Sequence, residues 1–149
     1  MSDMDRMLEL RKQGFYCSQI LMIMALDLQG RDNPALVRSM EALAGGLGFT
    51  GETCGTLTAA AVLGLYAGRG REAEDDAPTL VFMIEDVVKW FKEGYGQEYG
   101  GIACREILAT DPNSQLTRCP GMIAGTFQKI KELLVENGFD LSGKPDDDD

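Results

Sequence analysis

The period of the apolar residues constrains this chain more than any other feature, and it follows the helix almost from end to end. Met4, Met7 and Leu8 share one face of a first helix that Gly14 ends. A second helix spans about 16–28 and is apolar on nearly every side over 20–26, as expected of a helix buried at the centre of a bundle. Asn33 before Pro34 reads as the cap and first turn of a third helix, with Leu36, Val37, Met40 and Leu43 inward and Gly45-Gly46 as its stop. A fourth helix is predicted without a break from Thr53-Cys54 to about Tyr66. Its Ala60, Gly64 and Gly68 form a small-residue stripe on which a neighbouring helix can close.

A charged loop over 69–76 precedes a long fifth helix from near Pro78, with the stripe Leu80, Met83, Ile84, Val87, Val88 and Phe91. A glycine-rich turn over 94–101 leads into a short helix over 104–109. The last helix runs from Pro120 to about Asn137, with Ile123, Phe127, Ile130 and Leu134 inward and Gly138 as its stop. No stretch alternates with period two and no repeat is visible. The predicted fold class is all-α, a compact single-domain bundle of six or seven helices over 1–141 followed by an acidic flexible tail over 142–149.

The 149 residues, 44% of them apolar, can bury a core without disulfides. A net charge of −10 with no basic cluster repels phosphate backbones and anionic lipid, so neither nucleic acid nor a membrane is an expected partner. The apolar runs 20–26 and 57–67 fall short of the ~20 residues of a bilayer span. The acidic N-terminus lacks the basic-then-apolar order of a signal peptide. A cytoplasmic location is therefore expected, where thiols stay reduced.

Histidine is absent. Cys–His pairs, Ser–His–Asp triads and every histidine-containing zinc or haem site are thereby excluded. The chemical resource of the chain is its four cysteines, Cys17, Cys54, Cys104 and Cys119. None belongs to a C-x-x-C pair, so zinc-ribbon, ferredoxin-type and thioredoxin-type templates do not fit. Their positions relative to the helices are more telling. Each falls at or within a turn of a predicted helix N-terminus, where unpaired N–H groups and the helix dipole favour an anion. The same placement is expected to lower a thiol's pKa, and Arg105 and Arg118, next to Cys104 and Cys119, add to that bias. If these helix ends converge, the thiolates could hold an anionic iron–sulfur cluster. The alternative is that the four are small hydrophobes of the core.

At these residues the chain resembles the C_GCAxxG_C_C family, named for its cysteine pattern and designated redox-active. The matching elements are Cys17 in Tyr16-Cys17-Ser18-Gln19, then Cys54-Gly55-Thr56-Leu57-Thr58-Ala59, then Cys104-Arg105-Glu106 and Cys119-Pro120. The run Gly45-Gly46-Leu47-Gly48 before the second cysteine is similar as well. The resemblance extends from about Phe15 to Cys119. Thr56 stands where the family has Ala and Ala59 where it has Gly, both still small. What the resemblance implies is redox activity through the four cysteines and, from some relatives, an iron–sulfur centre.

Gly46-Leu47-Gly48-Phe49-Thr50-Gly51 matches G-x-G-x-x-G, but a dinucleotide fingerprint follows a strand and here a helix precedes it. Its expected role is to shape the backbone leading into Cys54. Glu52 is either a proton acceptor or oxygen ligand, or a solvated loop carboxylate. Asp75 and Asp76 read as helix caps, and the run 146–149 as a weak attractor of divalent cations. Trp90, Phe91, Tyr95 and Tyr99 are a candidate partner surface.

Three classes of function follow. The first is a redox protein whose metal ligands are Cys17, Cys54, Cys104 and Cys119, with Gly46, Gly48 and Gly55 letting backbone approach an iron–sulfur cluster, such as a [2Fe–2S] centre, for electron transfer or redox sensing. The second is a metal-free thiol–disulfide protein in which the same four are the redox-active groups. The third is a non-catalytic helical interaction module with structural cysteines. Structural zinc is disfavoured by the spacing. The expected partners are a redox protein or a small-molecule electron donor or acceptor, with a homodimer as a further arrangement.

Overall fold

The protein is represented by a computed structural model that describes residues 2–69, 78–109 and 113–143. Asp75, Asp76 and the acidic run 146–149, for which roles were expected, lie outside the described residues. In chain order the helices are α1 (Asp3–Lys12), α2 (Cys17–Leu28), α3 (Pro34–Met40), a kinked turn α4 (Ala44–Leu47), α5 (Gly55–Thr58) and α6 (Ala61–Ala67). After the undescribed segment come α7 (Leu80–Phe91), α8 (Gln97–Tyr99), α9 (Cys104–Leu108), α10 (Ser114–Thr117) and α11 (Cys119–Glu136). Among the described residues there is no strand, only an isolated antiparallel bridge between Thr53 and Ala103. The all-α expectation holds.

The long apolar run places α2 at the centre. Ile20, Leu21, Met22, Met24, Ala25 and Leu26 are all buried, and α1, α3, α5, α6 and α11 pack around them. Phe127, Ile130 and Leu134 of α11 and Met83 and Val87 of α7 complete this core. A smaller core holds Cys54, Leu57, Phe91, Ile107 and Met122. The predicted cap of α3 is present: Asn33 accepts a hydrogen bond from the Leu36 N–H at 3.1 Å, with Pro34 in the first turn. Ser2 and Asp5 close a reciprocal capping box at the start of α1. No helix among the described residues is long and apolar enough to cross a membrane.

Several expectations are corrected. The buried face of α1 is Met7 and Leu10, whereas Met4 and Leu8 are exposed, because α1 leans on α2 and α11 along the i, i+3 row that includes Leu10. The fourth helix is broken into α5 and α6. The N–H groups of Ala60, Val62 and Leu63 donate to carbonyls three residues back, a tightened 3-10 turn, and the Thr58 hydroxyl bonds back to the Cys54 and Gly55 carbonyls. The Ala60–Gly64–Gly68 stripe is not one continuous contact: Ala60 is buried in the core, whereas a Cβ at Gly64 would meet nothing within 4 Å among the described residues.

The glycine-rich stretch after α7 does not turn where expected. The helix continues through a π-helical turn (Lys92–Gly96) into α8, and the chain reverses only at Gly100 and Gly101, both at positive φ. Nor do the four aromatic residues there form a free surface. Phe91 is fully buried, Tyr95 meets Trp90 and Phe91 edge-on at 5.6 and 5.3 Å, and Tyr99 stacks on Tyr95 beneath the Arg118 guanidinium. The helix α10 has no counterpart in the sequence reading.

The loop into Cys54 depends on glycine. Gly46 is at φ +73° and a Cβ there would collide with the Glu52 backbone, while Gly48, at φ +63°, has open space. Gly46→Ala should therefore destabilise the protein by well over the ~1–2 kcal/mol that a left-handed alanine costs, and Gly48→Ala by about that amount alone. Denaturant unfolding of the two variants checks this; equal losses would contradict it.

Candidate functional site

The two residues Thr53 and Ala103 make the only sheet-like pairing among the described residues, and it sets two of the cysteines side by side. The Cys54 N–H donates to the Ile102 carbonyl at 2.9 Å and the Cys104 N–H to the Glu52 carbonyl at 2.6 Å. From this clamp the chain leaves in opposite directions into α5 and α9. Cys54 is the cap of α5, and Cys104 is the first residue of α9.

Cys17 opens α2 and Cys119 opens α11. All four thiols are thus at helix starts, as the sequence predicts. Gly55 makes room for Cys17: a Cβ there would lie 2.8 Å from the Cys17 Sγ and 2.9 Å from the Leu43 carbonyl oxygen. The start of α11 is tied to α9 by the Arg118 guanidinium, which donates to the Ile107 carbonyl.

Cys17, Cys54, Cys104 and Cys119 line one cavity of about 550 Å³. All four are free thiols. Residues separated by as many as 102 positions, from Cys17 to Cys119, meet there. Buried Cys54, Ile20 and Ile107 form its inner wall, and exposed Tyr16, Phe49 and Arg105 its mouth. No three His, Cys, Asp or Glu side chains among the described residues are grouped to hold a single metal ion.

Cys17, Cys104 and Cys119 do not carry the lowered pKa that their helix starts suggested. Burial pushes Cys17 up to about 11 and Cys119 up to about 12, and raises Cys104 as well. Repulsion among the cysteines adds to this, with Cys54 acting on each of the other three. The magnitudes decide the matter: a helix terminus is worth about 0.3–1 kcal/mol, under one pK unit, whereas burial moves a group by up to 3–5 units.

Neither expected arginine supports the thiolates. Arg105 pairs with the Glu52 carboxylate at 3.0 Å, both largely exposed, and Arg118 covers Tyr99. The cation that favours the Cys119 thiolate is Arg11, on the cavity wall and unmarked by any motif. Thr56 was equally unmarked as a partner. Buried in α5, it donates its hydroxyl to the Cys17 sulfur, which also accepts the Ser18 N–H.

Of the glycines expected to serve a cofactor, Gly55 is on the cavity wall, while Gly46 and Gly48 are not. Gly46 packs on Glu52 backbone, and Gly48 sits in the solvent-exposed turn. The loop G-x-G-x-x-G follows a helical turn rather than a strand, so its work is to deliver Cys54. Glu52 is a solvated carboxylate paired with Arg105.

The sequence pattern of the family described as Putative redox-active protein (C_GCAxxG_C_C) matches residues 15–133. The chain belongs to this family. The C_GCAxxG_C_C match runs from Phe15, before the first cysteine, well into α11, so it takes in all four cysteines and the elements that carry them. Comparison with curated proteins and with solved structures found no match. Thr56, at the family's Ala position, is accommodated because its hydroxyl has a partner in Cys17.

A thiol raised by burial stabilises the folded state fully below its unfolded pKa, near 9, and loses that contribution as pH climbs through the folded value. Metal-free, reduced protein should therefore lose stability between pH 9 and about 12 in denaturant titrations. The Cys17→Ser, Cys119→Ser double variant should lose less across the same range. Identical pH profiles would contradict the burial of these thiols.

Proposed function

We propose that the four cysteines are the ligands of an iron–sulfur cluster through which the protein transfers electrons or senses redox state. The observation that supports this reading is that four cysteines, rather than two, line one cavity. The donor chemistry fits: four thiols, no histidine in the chain and, among the described residues, no carboxylate lining the cavity. Structural zinc fits poorly. Its ligands must all lie about 2.3 Å from one point, and no such grouping exists among the described residues. A cluster distributes its cysteines over several iron atoms instead. When bound, it would supply one-electron chemistry.

The chain's own residues support such a group in three ways. Burial and repulsion from neighbouring cysteines disfavour the Cys17 and Cys119 thiolates, a charge cost that a cationic centre relieves. The Thr56 hydroxyl and Ser18 N–H donate to the Cys17 sulfur, the kind of hydrogen bond that tunes a cluster's potential. Ile20, Ile107 and Leu108 give the wall an apolar lining that limits water.

A second reading, thiol–disulfide exchange, is favoured by one observation: Cys54 is the cysteine whose charge weighs most on Cys17. Against it stands the requirement for a thiolate nucleophile, which a Cys17 thiol held up to about 11 rarely supplies at neutral pH.

Protein purified without oxygen should be brown, with iron and acid-labile sulfide near two per chain for a [2Fe–2S] centre or about four for a [4Fe–4S] centre. Each single Cys→Ser substitution should remove most of that iron. Colourless protein that loses two titratable thiols on mild oxidation, without iron, would establish the second reading instead.

A further inference from the structure

We propose that the open part of the cysteine cavity binds a small organic anion with a flat apolar body, its charged group at Arg11 and its body against the Tyr16–Phe49 pair. Charge is the first observation. The chain carries net −10, yet among the described residues the charged side chains lining this cavity are Arg11 and Arg105, and none is acidic. Arg105 is committed to Glu52 and the Gly51 carbonyl. Arg11 has no ion-pair partner among the described residues, and its charge reaches Cys119. A cavity whose unspent charge is positive, in an otherwise acidic protein, concentrates anions.

The aromatic pair is the second, independent observation. Phe49 is 60% exposed, and it holds that position at φ +65°, a left-handed conformation that costs a non-glycine residue stability. The fold accommodates it deliberately. A Cβ at Gly45 would collide with the Phe49 ring, and Tyr16 meets that ring edge-on with centroids 5.1 Å apart. Two exposed rings held against each other at the mouth of a cavity form a surface for a planar apolar group. The volume, about 550 Å³, is that of a small-molecule site.

What the ligand does beside the sulfurs rests on the redox reading above; its binding does not, and the two are measured separately. The test is a titration of the full chain, as purified without oxygen, with naphthalene-2-carboxylate and with the uncharged naphthalene-2-carboxamide. Amide NMR shifts report the location, and iron and sulfide are determined on the same sample. The carboxylate should bind saturably and shift residues around Tyr16, Phe49 and Cys104. Arg11→Gln should weaken it about tenfold, as loss of one charge-assisted contact does, and Arg11→Lys should retain most of the affinity. Phe49→Ala should weaken both compounds alike, and Arg11→Gln should leave the carboxamide unchanged. Equal affinity for the two compounds, no saturable binding of the carboxylate, or full affinity in Arg11→Gln would overturn the proposal. Binding by iron-free protein would sink the cluster reading alone, and a loaded protein that ignores the carboxylate would sink the anion site alone.

Discussion

A single antiparallel bridge, Thr53 against Ala103, holds the site together. Its two flanking hydrogen bonds fasten the approach to Cys54 onto the approach to Cys104, and both helices that follow start from that fixed point. The glycine loop exists to deliver the chain to this bridge. Gly46 lies tight against Glu52, whose carbonyl accepts from Cys104 and whose N–H donates to Gly46. Backbone therefore positions the two central sulfurs, leaving side chains to set their environment. Cys17 and Cys119 are brought in by the first residues of α2 and α11, which pack on each other.

Placing four thiols together in a buried setting has an electrostatic consequence. Burial raises the pKa of Cys17, Cys104 and Cys119, and repulsion from neighbouring cysteines, Cys54 above all, adds a smaller penalty in the same direction. The helix starts do not overcome this, because their influence is several-fold smaller than that of desolvation. They matter instead as sources of hydrogen bonds, as the Ser18 N–H does for Cys17. Family membership supports redox activity, and the four cysteines of the family pattern line one cavity.

Much of the fold was legible because it is written in local pattern. The seven-residue apolar run marks α2 as central, and Asn33-Pro34 marks the start of α3 with the residues that cap it. The helix-start positions of all four cysteines could be read from the flanking glycines and Pro120. What escaped is non-local or a contest of magnitudes. Nothing near Arg11 in the chain points to Cys119, and nothing near Thr56 announces that its hydroxyl would meet Cys17. The break between α5 and α6 is a backbone adjustment within a run of small residues whose composition is equally good for one continuous helix. The glycines at 94 and 96 looked like a stop, yet the helix continues through them in a widened turn in which Tyr95 packs edge-on against Trp90 and Phe91.

The most direct test of this account is a crystal structure of the protein purified without oxygen, with anomalous data collected at the iron edge. The account predicts the four Sγ atoms around one centre of iron density, inside the cavity walled by Ile20 and Ile107. Sulfurs directed into separate apolar pockets, or one of the four turned to the opposite surface, would contradict it.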